Sequence, residues 1–475
     1  MLRAHSVINR LGSPLTLALL LAAIALPLRA QSTLPAELRE KIDAAANEAL
    51  ARSGVPSASI TVVRDGQIAY VQAYGDARLD PKTPAQPSMR YSIGSISKQF
   101  TAAAMLLLQE QGKLSLNDRV SRFLPTLTRA NEVTIRELLS HTSGYQDYWP
   151  QDYVPPFMLQ PITADRIAEL WAKKPLDFEP GSKWQYSNTN FVIAGMIIEK
   201  VSGMPLLRFL QEKVFTPLHM QGVANIDQAR LGDTDPIGYM RFALGPLRPA
   251  PKEGKGWLFA AGELAMPAEE LARWDLSIIN RSLLRPASYK EFGTETLLTS
   301  GVGTHYGLGV DVRMNRGHRA LSHGGEVSGF TAQNVVFPDE RAAIVVLTNQ
   351  DAAGASGDIA DAITQLIFST GDDPAIATQL GKAKGIFDGL QRGTVDPSLF
   401  TDNLRAYFSP QAVQDFATGL APLGAPKEFV QTYQALRGGM TLRVYRVAFG
   451  EKTLRVWTYE MPDGKLEQYQ VATAE

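Results

Sequence analysis

The chain has 475 residues, 45% of them hydrophobic and 20% charged, and a formal net charge of −1; this is a normal globular composition at a length that exceeds one ordinary domain. No basic run suits nucleic acid or an anionic membrane surface, so a nucleic-acid partner is not expected. The absence of cysteine excludes disulfides, thiol catalysis and a lipidated cysteine, and leaves stability to core packing.

Residues 1–30 carry Arg3 and Arg10, an apolar stretch over 15–28, and Leu28-Arg29-Ala30 before Gln31, the pattern of a secretory signal peptide. A permanent membrane anchor is the competing reading, but Pro14 and Pro27 bracket a stretch too short to span comfortably. The expectation is an exported chain, periplasmic or secreted, with no membrane span after removal of the signal. Leu38, Ile42, Ala45, Ala46 and Ala49 then predict an amphipathic helix over 34–53, stopped by Gly54 and Pro56. Two β-rich runs, 58–63 and 67–74, flank Arg64-Asp65-Gly66 and predict a hairpin that begins an antiparallel sheet.

Residues 95–112 read Ser95-Ile-Ser-Lys98-Gln-Phe and continue as a long apolar run to Gly112, a buried helix with a candidate nucleophile at its start. Three residues apart on a helix, Ser95 and Lys98 share a face, so the amine can reach the hydroxyl. Unpaired N–H groups and the positive dipole end of the first turn disfavour a protonated Lys98 and favour a developing oxyanion. Both effects point to acyl transfer. The competing reading is an N-capping serine beside a solvated lysine, since chance alone supplies about one Ser-x-x-Lys in a chain this long.

Farther on, a short helix over 133–139 leads into Ser140-His141-Thr142-Ser143-Gly144, with His141 read as structural, and the aromatic- and proline-rich stretch 145–161 reads as an irregular cleft wall. A helix over 163–173 precedes Pro180-Gly181, Trp184 and Tyr186-Ser187-Asn188, after which 191–201 is apolar enough for a buried helix. The glycine- and proline-rich stretch 221–256 is a long loop region able to shape substrate access, and 267–280 returns to helix. Strands are predicted at 306–314, 320–323, 331–337 and 342–348, completing the sheet, with a closing helix over 358–368. The first domain thus covers 34–370 and 371–374 is a linker. Helical stretches and strands at 441–448, 453–459 and 466–471 then make 375–475 a small α+β domain with no catalytic constellation of its own.

Three distant stretches gain meaning together: Ser95-Ile-Ser-Lys98, Tyr186-Ser-Asn188 and His323-Gly324-Gly325. With Tyr91 to Lys98, the stretch from Thr134 to Gly144, and Tyr306-Gly-Leu-Gly309, the combination resembles the penicillin-recognising serine hydrolases over roughly 34–370. The similarity is to the branch of class C β-lactamases, D-amino-acid peptidases and related esterases. It implies a mixed α/β (α+β) fold, an antiparallel sheet flanked by helices plus a helical lobe, with the active site between them. It also implies Ser95 as the acylated nucleophile and Lys98 with Tyr186 as a coupled proton-carrying pair. Asn188 would hold a substrate amide and orient Lys98. His323 and Gly325 would line the substrate strand, and the N–H of Glu326 would join that of Ser95 as an oxyanion donor.

Histidine stands where β-lactamases of this group usually carry lysine, which weakens a clamp on a substrate carboxylate. No Gly-x-Ser-x-Gly elbow, His-Glu-x-x-His pair or nucleotide-binding glycine fingerprint is present, so no metal and no organic cofactor are expected. The implied partner is a small-molecule or peptide substrate, a D-amino-acid peptide or a small ester. The alternatives are a β-lactamase and a slow sensor acylated by a cell-wall ligand.

Overall fold

The computed structural model describes residues 34–151, 153–368, 374–437, 439–450 and 452–473. The predicted signal segment 1–30 and linker residues 371–373 lie outside them. Helix α1 (Ala36–Ser53) buries Ile42, Ala46, Ala49 and Leu50, and Gly54 ends it at φ +71° with its N–H on the Leu50 carbonyl. Strands β1 (Ser57–Arg64) and β2 (Gln67–Leu79) are joined through Asp65 and Gly66, both at positive φ, the conformation a tight hairpin turn requires. With β3 (Lys82–Pro84), β4 (Asp311–Asn315), β5 (His318–Val327), β6 (Phe330–Phe337) and β7 (Ala342–Thr348) they form a seven-stranded antiparallel sheet in the order β3-β2-β1-β7-β6-β5-β4. The sheet closes where the two ends of the first unit meet, Ala58 opposite Thr348 and Val63 opposite Ala343.

Strands β1 and β7 are buried on both faces, which explains why they read as continuous apolar runs rather than alternating ones. One face packs against α1 and a closing helix, Ala355–Ile367, through Ile60, Val62, Ile344, Val346, Ile359 and Ile363. The other meets α2 (Ser97–Glu110) and the helical lobe containing α3 (Asn188–Ser202) and α4 (Ala268–Asn280). The predicted architecture is the observed one.

Helix α2 is the central member, buried without interruption from Ser97 to Leu106. A polar tie to the sheet runs through Gln99: Trp274 Nε1 donates to Gln99 Oε1 (2.8 Å), Gln99 Nε2 to Asn334 Oδ1 (3.1 Å), and Asn334 Nδ2 to both oxygens of Asp275 (2.9 and 2.8 Å). Burial holds the Asp275 carboxyl well above its usual range.

Two elements differ from expectation. Of the predicted strand 306–314 only the part from Asp311 joins the sheet, in a strand that runs on to Asn315. Gly309, at φ +73°, instead donates its N–H to the Leu139 carbonyl and passes so close to the Lys98 carbonyl that a Cβ would stand 2.9 Å from it. Beyond the first unit, α5 (Pro374–Gln391) and the helix Pro410–Leu420 accompany a sheet of four sequential antiparallel strands: β8 (Glu428–Arg437), β9 (Met440–Phe449), β10 (Lys452–Glu460) and β11 (Leu466–Thr473). Strand β8 was not expected; a register shift between Gln431 and Tyr433 breaks its alternation. These elements share a separate core that includes Phe387, Leu390, Tyr445, Val456 and Tyr469.

Candidate active site

Ser95 lies in the single 3₁₀ turn Gly94–Ile96 that feeds α2, and it is partly open to solvent. Lys98, in the first turn of α2, is fully buried. Its Nζ lies 2.9 Å from Ser95 Oγ, 2.8 Å from Asn188 Oδ1 and 2.8 Å from the Ala261 carbonyl oxygen, with the rings of Tyr186 and Phe191 centred 5.0 and 5.5 Å away. Desolvation lowers the Lys98 pKa to about 7, partly opposed by the charge of Asp147. Much of the amine is therefore unprotonated near neutral pH. The Asn188 and Ala261 oxygens can only accept, so they occupy the two N–H bonds of the neutral amine. Its lone pair is then left for the Ser95 hydroxyl.

Tyr186 hydrogen-bonds Ser95 from the other side, and burial pushes its phenol far above the usual value, with Asp147 and Asp311 adding to the rise. Of the two protonation patterns open to the coupled pair, the environment favours neutral phenol with neutral amine over phenolate with ammonium.

The opposite wall is the end of β5. A Cβ on Gly325 would stand 1.9 Å from the Ile93 carbonyl oxygen, and one on Gly94 would stand 2.5 Å from the Glu326 nitrogen. Two glycines thus let the strand edge meet the Gly94–Ile96 turn and bring the Glu326 backbone beside it. The Glu326 carboxylate turns away to accept the Ala352 N–H at 2.8 Å.

His323 is placed differently from a clamp on substrate. Its Nε2 pairs with the Tyr306 hydroxyl at 2.9 Å and its Nδ1 with the Gly324 carbonyl oxygen, so the neutral ring donates from Nδ1 and accepts at Nε2. Burial, with the Lys98 charge, lowers its pKa to about 4. His141 is also fully buried; its ring packs against that of Tyr186 at a tilt of 36° (centroids 4.3 Å apart) and accepts the Ser187 N–H at 3.2 Å through Nδ1.

Ser95, Tyr186, Asn188 and Glu326 line a cleft of about 470 Å³, together with Asp147, Tyr148, Trp149, Ala261 and Gly262; Lys98 lies beneath its floor, and His323 and Gly325 are not among the lining residues. Two contributors went unnoticed in the sequence. One is the Ala261 carbonyl, a backbone group. The other is Asp147, which accepts from the Asn188 N–H at 2.9 Å and sits in a stretch read only as a cleft wall.

The sequence model of the beta-lactamase family matches residues 42–367. The chain belongs to the beta-lactamase family. Within it, the chain is 27% identical over 308 residues to Penicillin-binding protein 4* of Bacillus subtilis (strain 168), covering 62% of this chain and 68% of that protein. It is 28% identical over 298 residues to a D-aminopeptidase of Brucella anthropi, covering 62% of this chain and 56% of that protein, so only a little over half of this relative is spanned. Among solved structures of the fold, a D-stereospecific amidohydrolase from Streptomyces sp. aligns with a TM-score of 0.60 at 27% identity, over 69% of this chain and 98% of its own. An octameric penicillin-binding protein homologue from Pyrococcus abyssi shares the fold, with a TM-score of 0.63 at 21% identity over 92% of this chain and 96% of its own. With these relatives, the chain is a β-lactamase-fold serine hydrolase. Among the described residues no single helix is long and apolar enough to cross a membrane.

Proposed function

We propose that the chain is an exported hydrolase that forms a Ser95 acyl-enzyme from amide or ester substrates, D-amino-acid amides and peptides foremost. The observation that carries this reading is the Lys98 amine, buried, drawn down to about 7 and left with its lone pair towards Ser95. The amine takes the Ser95 proton as Oγ bonds to the substrate carbonyl carbon, and the carbonyl π electrons move to oxygen, where the N–H groups of Ser95 and Glu326 receive them. The oxyanion collapses, the bond to the leaving amine or alcohol breaks, and the Tyr186 hydroxyl supplies its proton, while the Lys98 ammonium gives the pair back the proton it took from Ser95 and returns to the neutral amine. Water then attacks the acyl carbonyl, gives up its proton to the same pair, and releases acid and free Ser95.

Charge supports amino-bearing substrates over β-lactams. Among the described residues lining the cleft, Asp147 and Asp351 are acidic, as is Glu326, whose carboxylate is engaged by the Ala352 N–H, and none is lysine, arginine or histidine. Such a field attracts an ammonium group and repels the carboxylate of a penicillin. His323, neutral and engaged with Tyr306, adds no cation, and acts in this reading by fixing the Tyr306 hydroxyl beside the site. Residues 375–475 are proposed to bind, dimerise or cover the cleft, outside the chemistry.

Treatment with a labelled alkyl fluorophosphonate and mapping of the adduct by peptide mass spectrometry tests the nucleophile. The label is expected on Ser95 and absent from Ser95→Ala. An adduct on another serine, or hydrolysis undiminished in Ser95→Ala, would overturn the assignment. Profiling the purified protein against D-aminoacyl p-nitroanilides, p-nitrophenyl esters and cephalosporins tests the substrate class; cephalosporin turnover near the diffusion limit would refute it.

A further inference from the structure

Asp147 follows the Ser143-Gly144 turn, and both of its carboxylate oxygens are engaged. Oδ1 accepts from the backbone N–H of Asn188 at 2.9 Å and of Trp149 at 3.2 Å, and Oδ2 accepts from Asn188 Nδ2 at 3.3 Å. Asn188 opens α3, whose N-cap residue Ser187 makes no side-chain cap, so a carboxylate from another segment caps this helix at the positive end of its dipole.

The chemical consequence lies at the other end of the Asn188 amide, where Oδ1 accepts from Lys98 Nζ at 2.8 Å. An asparagine amide has one accepting end and one donating end. Turned over, it would set its oxygen against the Asp147 carboxylate, a repulsive contact in a buried place, and its NH₂ against the lysine amine, where it would repel the ammonium or take up the lone pair of the neutral amine. With Asp147 present, a single orientation survives.

We propose that Asp147 is a positioning residue of the acylation machinery: it holds the Asn188 amide with its oxygen towards Lys98 and so keeps the Lys98 lone pair aimed at Ser95. This rests on the assignment of Ser95 and Lys98 made above. The charge on Asp147 also acts directly on Lys98. Of the other titratable groups around that amine, Tyr186 stays a neutral phenol, and His141 and His323 stay neutral imidazoles through burial, leaving Asp147 as the charge that raises the Lys98 pKa.

The test measures the second-order rate of Ser95 modification by an alkyl fluorophosphonate between about pH 5 and 10 on the full chain. On the alkaline plateau, where Lys98 is neutral in every variant, Asp147→Asn is expected to react at least about tenfold more slowly. Its inflection moves to lower pH, because an ammonium has lost its counter-charge. Asn188→Ala should be slowed comparably, and Asp147→Asn added to it should cost less than about a further twofold, since the carboxylate acts through the amide.

A residue that only caps α3 would lower the thermal midpoint and leave the plateau rate in place, even though loss of its charge still moves the inflection; an unchanged plateau rate, or plateau losses that add in the double variant, overturns the proposal. Asp147→Ser keeps an oxygen for the helix cap but cannot orient the amide, and carries the same expectation where Asp147→Asn does not fold. Failure of the unaltered protein to label at Ser95 is a different result, and refutes the nucleophile assignment instead.

Discussion

The unit that holds Ser95 and the carboxyl-terminal unit bury different kinds of side chain. The first hides Lys98, His141, His323, Asp227, Glu253, Glu263 and Asp275, several with pKa values driven far from their solution range. Among the described residues of the second, the buried polar side chains other than tyrosine are Gln431 and Thr458, with no acid or base. Desolvated ionisable groups cost free energy, and a fold keeps them where they do something. The second unit shows the alternative, a core of phenylalanine, leucine, valine and tyrosine that is cheaper to hold together. The difference teaches where function has strained the chain and where it has not.

Substitutions can sharpen or break that contrast. The largest effect is expected from Lys98→Met, which keeps the buried volume and removes the base; turnover of a p-nitrophenyl ester should fall by roughly two to four orders of magnitude in a protein whose circular dichroism is unchanged. Gly94→Ala comes next. Its new methyl would collide with the Glu326 nitrogen, push β5 away from Ser95 and separate the oxyanion donors, lowering kcat by roughly two to three orders of magnitude. If kcat stays within a few-fold, the two glycines serve packing alone.

A smaller effect comes from pH. Lys98 must be unprotonated to act, so kcat/KM should rise with pH, flatten above about 7, and fall by about tenfold per unit on the acid side. A profile that is flat from pH 5 to 8 would remove Lys98 as the base. The smallest catalytic effect belongs to the other unit. Phe387 is fully buried there, and Phe387→Ala should destabilise that unit by about 3–5 kcal/mol, seen in calorimetry, while the folded enzyme labels at Ser95 at the unaltered rate. Slower labelling would tie the carboxyl-terminal core to the cleft and erase the contrast.

Much of the fold, and the side chains that gather at the candidate site, could be read in advance. Ser95, Lys98, Tyr186 and Asn188 belong to motifs in which residue type itself carries the chemistry, and the structure brings all four within one site. Strand β7 matched its predicted span because an unbroken apolar run at a sheet centre leaves little choice. The Ala261 carbonyl was invisible because a backbone acceptor leaves no mark on side-chain identity. Asp147 was hidden because an aspartate in a loop caps helices and turns far more often than it orients another side chain. The pairing of His323 with Tyr306 depends on the segment 306–310 leaving the sheet, and local strand propensity pointed the other way.

The polar chain from Trp274 through Gln99 and Asn334 to Asp275 has a consequence for how this enzyme can vary. A helix clothed in alanine, leucine and phenylalanine is a nearly smooth cylinder, able to roll by tens of degrees or slip along its axis at little cost. Gln99 works as a key in a slot: its amide meets a donor on one side and an acceptor on the other, and only one azimuth of the helix satisfies both. Lys98 is its immediate neighbour, so locking one locks the heading of the other. Apolar residues along the shaft can then exchange over generations with small losses of stability, while the amine keeps its bearing on the serine.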